Sequence, residues 1–224
     1  MIGDSITAGY GSNAGMVPCQ ASIYTNDFSL TYGHLLCESL NAECFVEAVS
    51  GIGIYKSYPD PEPGRNLTMP ERYHDTLTGL HGAYPWRPGK DGGGWAPRAV
   101  VINLGTNDFQ PGREGDGAFV AAFVDAYVAF VTALAGAYGE VAEAGRGPPV
   151  FFLGVGPMRT TYAAAVHEVL QRLALGPIEA HFLDLALPEG VELDGCNNHP
   201  AAEAQRAMAE KARPVIAQAM GWLD

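Results

Sequence analysis

Two runs, residues 99–104 and 150–155, which are apolar apart from Asn103, most constrain what this chain can fold into. Strands without polar alternation are typical of a parallel sheet that is covered on both faces. Helical patterns occupy residues 118–137, 162–175 and 201–220, between and after these runs. Strands that alternate with helices predict a three-layer α/β/α fold, in which a central parallel sheet lies between two layers of helices.

Shorter segments complete this pattern. Residues 30–40 predict a helix, and residues 44–49 and 181–185 predict short strands. With 224 residues, of which 47% are hydrophobic, the chain has the size and the apolar content of a single domain that spans residues 1–224.

The beginning of the chain predicts a sharp turn that carries a nucleophilic serine. Ser5 follows Gly3 and precedes Gly9 and Gly11, an arrangement that suits a turn from a strand into a helix. A helix-capping serine in an ordinary glycine-rich loop is the alternative. A strand of about five residues should precede such a turn. Only two residues precede Gly3, so we expect an upstream strand that this sequence does not include.

Charge and apolar content narrow the range of partners. The net charge of −12, without a lysine-rich or arginine-rich run, argues against nucleic acid or an anionic membrane. Residues 118–137 are nearly uncharged and long enough to cross a bilayer. They contain Asp125, Gly136 and a stripe of large apolar residues at helical spacing, which favours a helix packed on the core. The stripe consists of Phe119, Phe123, Tyr127, Phe130 and Leu134.

The cysteines and the first residues say less about the environment of the protein. Cys19, Cys37, Cys44 and Cys196 include no C-x-x-C pair, so they predict neither a zinc site nor a dense disulfide framework. They allow one disulfide, whose partners the sequence leaves open. The sequence does not begin with a basic region followed by an apolar segment, the pattern of a signal peptide.

Residues suited to acyl transfer follow the predicted strands, and the carboxyl ends of parallel strands meet at one edge of a sheet. His199 can take the proton of Ser5 and return it to a leaving alcohol. The N–H groups of Ser5 and Gly51 and the side-chain amide of Asn107 can donate to the oxyanion of the tetrahedral intermediate. The combination predicts a serine esterase that needs no metal or cofactor.

The long loop that precedes the first apolar run, residues 55–96, is rich in aromatic residues. Such residues pack against sugar rings or anchor a loop to the core, and both alternatives stay open here. We single out Tyr73 and Trp95 as candidate substrate or loop contacts. Asp108 is expected to fix its own loop by hydrogen bonds, with substrate contact as the alternative.

The remaining histidines are expected to be structural or solvated. His34 and His167 fall on predicted helices, and His181 begins a predicted strand. His74 and His81 lie in the aromatic loop, where an approach to the site stays open.

The motifs at Ser5, Gly51, Asn107 and His199 resemble the four sequence blocks of the SGNH (GDSL-type) hydrolase superfamily. Further segments make the whole chain similar to carbohydrate esterase family 2. These segments are residues 3–11, 50–53, 69–73, 101–109, 156–158, 195–196, 199–200 and 221–222.

This resemblance implies a flavodoxin-like fold, secretion, and removal of acetyl groups from xylan and other plant polysaccharides. The family usually carries a jelly-roll domain before the hydrolase domain, and residues 1–224 resemble the hydrolase domain alone.

The family pattern differs from this sequence at the residue that orients the histidine. SGNH enzymes commonly place an aspartate three residues before it, and carbohydrate esterase family 2 often places one two residues before it. Cys196 and Asn197 stand at these positions, and Asp194 is five residues upstream. We therefore predict a dyad of Ser5 and His199, oriented by a backbone carbonyl or by Asn197, with Asp194 as the alternative third member.

The sequence as a whole predicts an esterase that removes O-acetyl groups from plant-type polysaccharides or acetylated sugars through an acyl-serine intermediate. A general SGNH lipase or thioesterase is one alternative, and a comparison of acetyl with octanoyl esters separates the two. A catalytically silent carbohydrate-binding module is the other, which retention of polysaccharide without ester cleavage would favour.

Overall fold

The computed structural model describes residues 1–15, 17–58, 67–75, 86–87, 91, 95–109, 113, 115–142 and 147–222. Its five strands are β1 Ile2–Gly3, β2 Glu47–Ala48, β3 Ala99–Asn103, β4 Val150–Val155 and β5 Ala180–Asp184. The helices are α1 Ser5–Ala8, α2 Tyr32–Ser39, α3 Met69–Arg72, α4 Gly117–Gly139, α5 Ala163–Leu173 and α6 Ala202–Met220, and 3₁₀ turns span Phe28–Leu30 and Cys196–Asn198.

The strands form one parallel sheet in the order β2-β1-β3-β4-β5. Helices α4 and α5 pack together on one face, and α2 and α6 pack together on the other. Alternate residues of β3 serve the two cores: Val100 and Ile102 belong to the first, and Val101 belongs to the second. The apolar run of this strand is thus explained by burial on both faces, and the predicted three-layer fold is confirmed.

The register of β1 determines where the first turn leaves the sheet. Ile2 pairs with Ile102 and Gly3 with Asn103, the last two residues of β3. Ser5 and Asn107 therefore follow their strands at the same carboxyl edge. The C-terminal 3₁₀ turn brings His199 to this edge from the opposite end of the chain.

The predicted elements agree with the observed ones except in three short segments, one of which is the 3₁₀ turn Cys196–Asn198 before His199. Most predicted boundaries lie within two residues of those in the structure. Helix α3 was not predicted, because its four residues are too short for a periodic pattern; Thr68 and Glu71 form a capping box at its beginning. The predicted loop at residues 12–29 contains most of the 3₁₀ turn Phe28–Leu30.

Helix α4 is long and apolar enough, by length and composition, to cross a membrane, and no other described helix meets that test. In the structure, Asp116 caps its first turn and one face lies against the sheet. Phe123, Tyr127, Phe130 and Leu134 are buried there, as the helical stripe predicts.

The four cysteines form two disulfides, Cys19–Cys196 and Cys37–Cys44. The sequence allowed one disulfide and left its partners open, and the structure contains two. The Cys37–Cys44 disulfide links α2 to the segment that follows it. The Cys19–Cys196 disulfide joins segments that are 177 residues apart. No local pattern marks such a long-range pair, because the path of the chain brings its members together.

Candidate active site

Ser5 is the first residue of α1 and is held in a tightly determined turn. Asp4 caps this helix, since its carboxylate accepts a hydrogen bond from the N–H of Ile6 at 3.0 Å. The helix ends after one turn at Gly9, whose φ of 85° lies in the left-handed region that glycine tolerates. Ser5 is 7% exposed, so its hydroxyl is near the surface of an otherwise buried segment.

His199 meets the hydroxyl of Ser5. Its Nε2 lies 2.8 Å from Ser5 Oγ, and its Nδ1 lies 3.2 Å from the carbonyl oxygens of both Cys196 and Asn197. Carbonyl oxygens can only accept, so Nδ1 carries a proton and the unprotonated Nε2 accepts from the serine hydroxyl. Burial lowers the pKa of His199 below its ordinary value of 6.5, and the two carbonyl bonds oppose this effect.

The alternative third member, Asp194, is not at the imidazole. Its side chain is exposed, and within the described residues the acceptors at Nδ1 are the two backbone carbonyls. The chain turns away from Asp194 at Gly195, where the N–H donates to the carbonyl of His199. The geometry is that of a dyad oriented by backbone carbonyls, one of the two arrangements predicted from the sequence.

Asn197 does not orient the imidazole through its side chain. Its amide donates to Tyr10 Oη at 2.8 Å, and the ring of Tyr10 packs on the imidazole with 4.4 Å between ring centroids. Tyr10 follows the serine turn directly, and its N–H donates to the carbonyl of Ser5. Tyr10 thus connects the serine turn with the histidine loop.

The candidate oxyanion donors surround the same edge of the sheet. The N–H groups of Ser5 and Gly51 have no acceptor among the described residues, which leaves them free for a ligand. The amide of Asn107 donates to Ile52 O at 2.9 Å and to Asp4 Oδ2 at 3.1 Å. Both of its protons are therefore engaged, and a bond to an oxyanion requires Asn107 to share one of them.

Asp4 and Asp108 are buried carboxylates that organise this edge. Burial raises the pKa of Asp4 to about 7, and the charge of Asp108 adds to the rise. Asp108 accepts hydrogen bonds from the N–H groups of Ile54, Tyr55 and Lys56, at 2.7 to 3.0 Å. Asp108 is fully buried. These three hydrogen bonds hold the loop after Gly51, which favours the structural role of Asp108 over substrate contact.

Tyr73 and Trp95 lie away from this edge, where their contacts are those of loop residues. Both line a cavity of about 1000 Å³ at the amino ends of the strands, next to Met1 and Ala99. Tyr73 is buried in the core, where its hydroxyl lies 2.7 Å from that of Tyr138. Trp95 packs against Phe45 and Tyr138. These aromatic residues anchor the long loop to the core.

The other histidines lie elsewhere, as expected. His34 pairs with Glu38, and His167 stacks on Phe182. His181 pairs with Glu179. In the aromatic loop, His74 contacts the carbonyl of Trp86, and His81 lies outside the described residues. Among those residues, no group of three or more His, Cys, Asp or Glu side chains is placed to hold a metal ion.

Sequence reasoning overlooked three residues that shape this site. Tyr10, Cys19 and Asp4 contact the histidine loop or the Asn107 amide, and none was assigned a role beforehand. Of the three, only Asp4 had a signal in the sequence, because it is an acidic residue directly before Ser5. The contacts of Tyr10 and Cys19 depend on the meeting of two loops that are distant in sequence.

Comparison with known proteins agrees with this geometry. A sequence profile of the GDSL-like lipase/acylhydrolase family matches residues 1–210. The chain is 27% identical over 216 residues to an acetylxylan esterase/glucomannan deacetylase of Cellvibrio japonicus, and the match covers 93% of the chain and 55% of that protein. It is 30% identical over 223 residues to the cellulase/esterase CelE of Acetivibrio thermocellus, covering 99% of the chain and 25% of that protein.

Solved structures of carbohydrate esterase family 2 have the same fold. An enzyme of this family from Corynascus thermopiles, solved with a carbohydrate binding domain, is 34% identical with a TM-score of 0.78, and the match covers 99% of this chain and 65% of that one. The family member from Clostridium thermocellum, solved in complex with cellohexaose, is 28% identical with a TM-score of 0.81, covering 99% and 64%. The chain thus spans less than two thirds of the length of each of these relatives.

Proposed function

Because the chain belongs to the GDSL-like lipase/acylhydrolase family, we propose that it is a serine esterase that removes O-acetyl groups from plant-type polysaccharides or acetylated sugars. The observation that carries the proposal is the 2.8 Å contact between His199 Nε2 and Ser5 Oγ. The names of the relatives support acetylated carbohydrate as the substrate.

In the first half-reaction, Ser5 Oγ attacks the carbonyl carbon of the acetyl ester while His199 Nε2 takes the hydroxyl proton. The tetrahedral intermediate places its negative charge where the N–H groups of Ser5 and Gly51 can donate to it, with Asn107 as the shared third donor. Its collapse breaks the bond from the carbonyl carbon to the sugar oxygen, and His199 gives its proton to that oxygen, which leaves as a hydroxyl.

In the second half-reaction, His199 takes a proton from water, and the resulting hydroxyl attacks the acetyl group on Ser5. Collapse of the second intermediate releases acetic acid, which ionises in solvent to acetate, and His199 returns its proton to Ser5 Oγ. Protein groups and water supply every atom and charge that these steps need, so the proposed reaction uses no metal or cofactor.

The two disulfides add support for an extracellular location, since disulfides persist in oxidising environments. Residues 1–224 act as the hydrolase domain in this proposal. Its partner is an acetylated carbohydrate, as the resemblance to carbohydrate esterase family 2 implies.

The test measures acetate release from acetylated xylan and acetylated glucomannan, together with hydrolysis of aryl acetate and aryl octanoate. We expect release from at least one polysaccharide and a preference for the acetyl ester. Ser5→Ala is the control that separates catalysis at this site from contamination. Octanoate preference would instead support a lipase, and an absence of wild-type turnover would overturn the proposal.

One observation favours a second candidate function, a carbohydrate-binding module without catalysis. No carboxylate among the described residues contacts His199, so the orienting charge of a Ser-His-Asp triad is missing. Retention of wild-type protein on xylan or cellulose columns, without release of acetate, would support this function over the esterase.

A further inference from the structure

The loop that carries His199 has little regular structure of its own. It consists of one 3₁₀ turn, Cys196–Asn198, in which Asn197 and Asn198 have positive φ angles of 53° and 57°. The carbonyls of Cys196 and Asn197 accept the hydrogen bond from the Nδ1–H group of His199. The orientation of the imidazole therefore depends on how firmly these two peptide groups are held.

A covalent bond holds the first of these peptide groups. Cys196 is fully buried, and its disulfide joins it to Cys19, in the loop that follows the serine turn. The backbone of Gly11 lies against it so closely that a Cβ on Gly11 would be 2.7 Å from the nitrogen of Cys196. The carbonyl of Cys196 thus has little freedom to move away from Nδ1.

Tyr10 holds the second peptide group. Its hydroxyl accepts from the amide of Asn197 at 2.8 Å, while its ring covers the imidazole of His199 at an interplanar angle of 35°. Tyr10, Gly11 and Cys19 all follow Ser5 within one stretch of chain. The segment that positions the nucleophile therefore also fastens the loop of the base.

We propose that Cys19 and Tyr10 are positioning residues for His199: the Cys19–Cys196 disulfide and the Tyr10–Asn197 contact fix the carbonyls that orient the imidazole, in place of a carboxylate. This inference rests on the proposed function, in which His199 is the base. In a Ser-His-Asp triad the carboxylate fixes both the tautomer and the direction of the ring. Neutral carbonyls stabilise the imidazolium less than a carboxylate does. The orientation of the imidazole therefore depends more on how firmly these carbonyls are held.

The chain offers a matched control, because its second disulfide lies away from this loop. The Cys19→Ser/Cys196→Ser variant loses the bridge at His199, and the Cys37→Ser/Cys44→Ser variant loses the bridge after α2. We expect the first variant to lose about 10- to 100-fold in kcat for an aryl acetate, with KM changed less than about twofold. The second should keep both constants within about twofold of wild type.

The spectroscopic readout is the Nδ1 proton of His199 in protein with ¹⁵N-labelled histidine. We expect a slowly exchanging, downfield Nδ1–H signal in the wild type and in the control. The signal should broaden or disappear in the Cys19→Ser/Cys196→Ser variant. Equal losses of kcat in both disulfide variants, or an unchanged signal after loss of Cys19–Cys196, would overturn the proposal.

Variants of Tyr10 test the proposal without removing a disulfide, in case the Cys19→Ser/Cys196→Ser variant does not fold. Tyr10→Phe keeps the ring and loses the acceptor for Asn197, so kcat should fall about three- to tenfold. Tyr10→Ala loses both contacts and should fall further. Wild-type kcat and an unchanged Nδ1–H signal in Tyr10→Ala would contradict the proposal.

The two proposals fail in different ways. A wild-type protein that cleaves no acetyl ester contradicts the proposed function, while the Nδ1–H signal still reports whether the loop is fixed. An active wild type whose variants at Cys19 and Tyr10 are unaffected contradicts only the positioning role.

Discussion

The serine turn and the histidine loop contribute one residue each to the site, yet they are held in contrasting ways. Ser5 lies two residues after a strand of the sheet, and its turn is fixed by the buried carboxylate of Asp4, which caps the helix, and by the left-handed Gly9. His199 follows an irregular loop that is fixed by a disulfide, by Tyr10 and by close backbone packing. Regular secondary structure positions the nucleophile, and contacts between loops position the base.

This difference indicates where each half of the site is vulnerable. The serine turn shares its hydrogen bonds with the sheet and the core, so a change there affects stability as well as activity. The histidine loop can lose its orientation while the sheet stays intact. Variants of the serine turn should therefore lower both activity and stability, and variants of the histidine loop should lower activity more than stability.

The largest expected effect comes from removing the nucleophile or the base. Ser5→Ala and His199→Ala should each lower kcat for an aryl acetate by about 10⁴-fold or more, because neither residue can act without the other. The double variant should lose little beyond either single one. Additive losses, measured alongside melting temperatures that confirm folding, would mean that the two residues do not act as a unit.

The next effect tests the oxyanion site on the sheet side. Gly51 has a φ of 82° and a Cβ there meets only Tyr58 at 3.6 Å, so Gly51→Ala strains the backbone without a clash. Gly190 has a φ of 85°, and a Cβ there would have nothing within 4 Å, which makes Gly190→Ala a matched control. Alanine keeps the N–H group, but strain at this φ should shift that group away from the oxyanion, so we expect about a 100-fold loss of kcat for Gly51→Ala alone. Similar kcat values for both variants would remove Gly51 from the oxyanion site.

A smaller effect is expected for Asp4→Asn. Asparagine caps helices as well as aspartate does, so the cap should survive. The main change is that the NH2 group of the introduced asparagine faces the NH2 group of Asn107, and the hydrogen bond from Asn107 to Asp4 Oδ2 is lost. We expect about a tenfold loss of kcat and a loss of about 1–3 kcal/mol in the free energy of unfolding, measured by urea titration. The control Asp116→Asn, at the cap of α4, should change kcat by less than about twofold, which is close to the error of such assays.

The smallest effect concerns pH. His199 must be neutral to accept a proton, and burial lowers its pKa, so kcat/KM should fall as the pH decreases through a midpoint below the ordinary value of 6.5. His34→Gln, which changes a partly exposed histidine that pairs with Glu38, should leave this midpoint in place. Because burial raises the pKa of Asp4 to about 7, the check includes Asp4→Asn. A midpoint above 6.5 in both the wild type and this variant would mean that the imidazole is not desolvated as the structure has it.

Much of the fold could be predicted because its signals are local. The apolar runs at β3 and β4 and the stripe on α4 follow directly from burial on two faces or on one. The turn at Ser5 was also visible, since glycine spacing and a short polar residue mark it. The positions of Tyr73 and Trp95 could not be predicted, because the sequence does not distinguish an aromatic residue that faces a sugar from one that packs on the core.

The sequence by itself determined the layered architecture, the edge of the sheet at which the chemistry collects, and the two residues that meet there. Periodicity and turn propensity act over a few residues, so they can be recognised without coordinates. The tertiary structure alone decided that Cys19 joins Cys196, that Tyr10 covers His199, and that two carbonyls take the place of Asp194. These contacts join residues 177 to 189 positions apart or depend on backbone direction, and only the folded path of the chain specifies them.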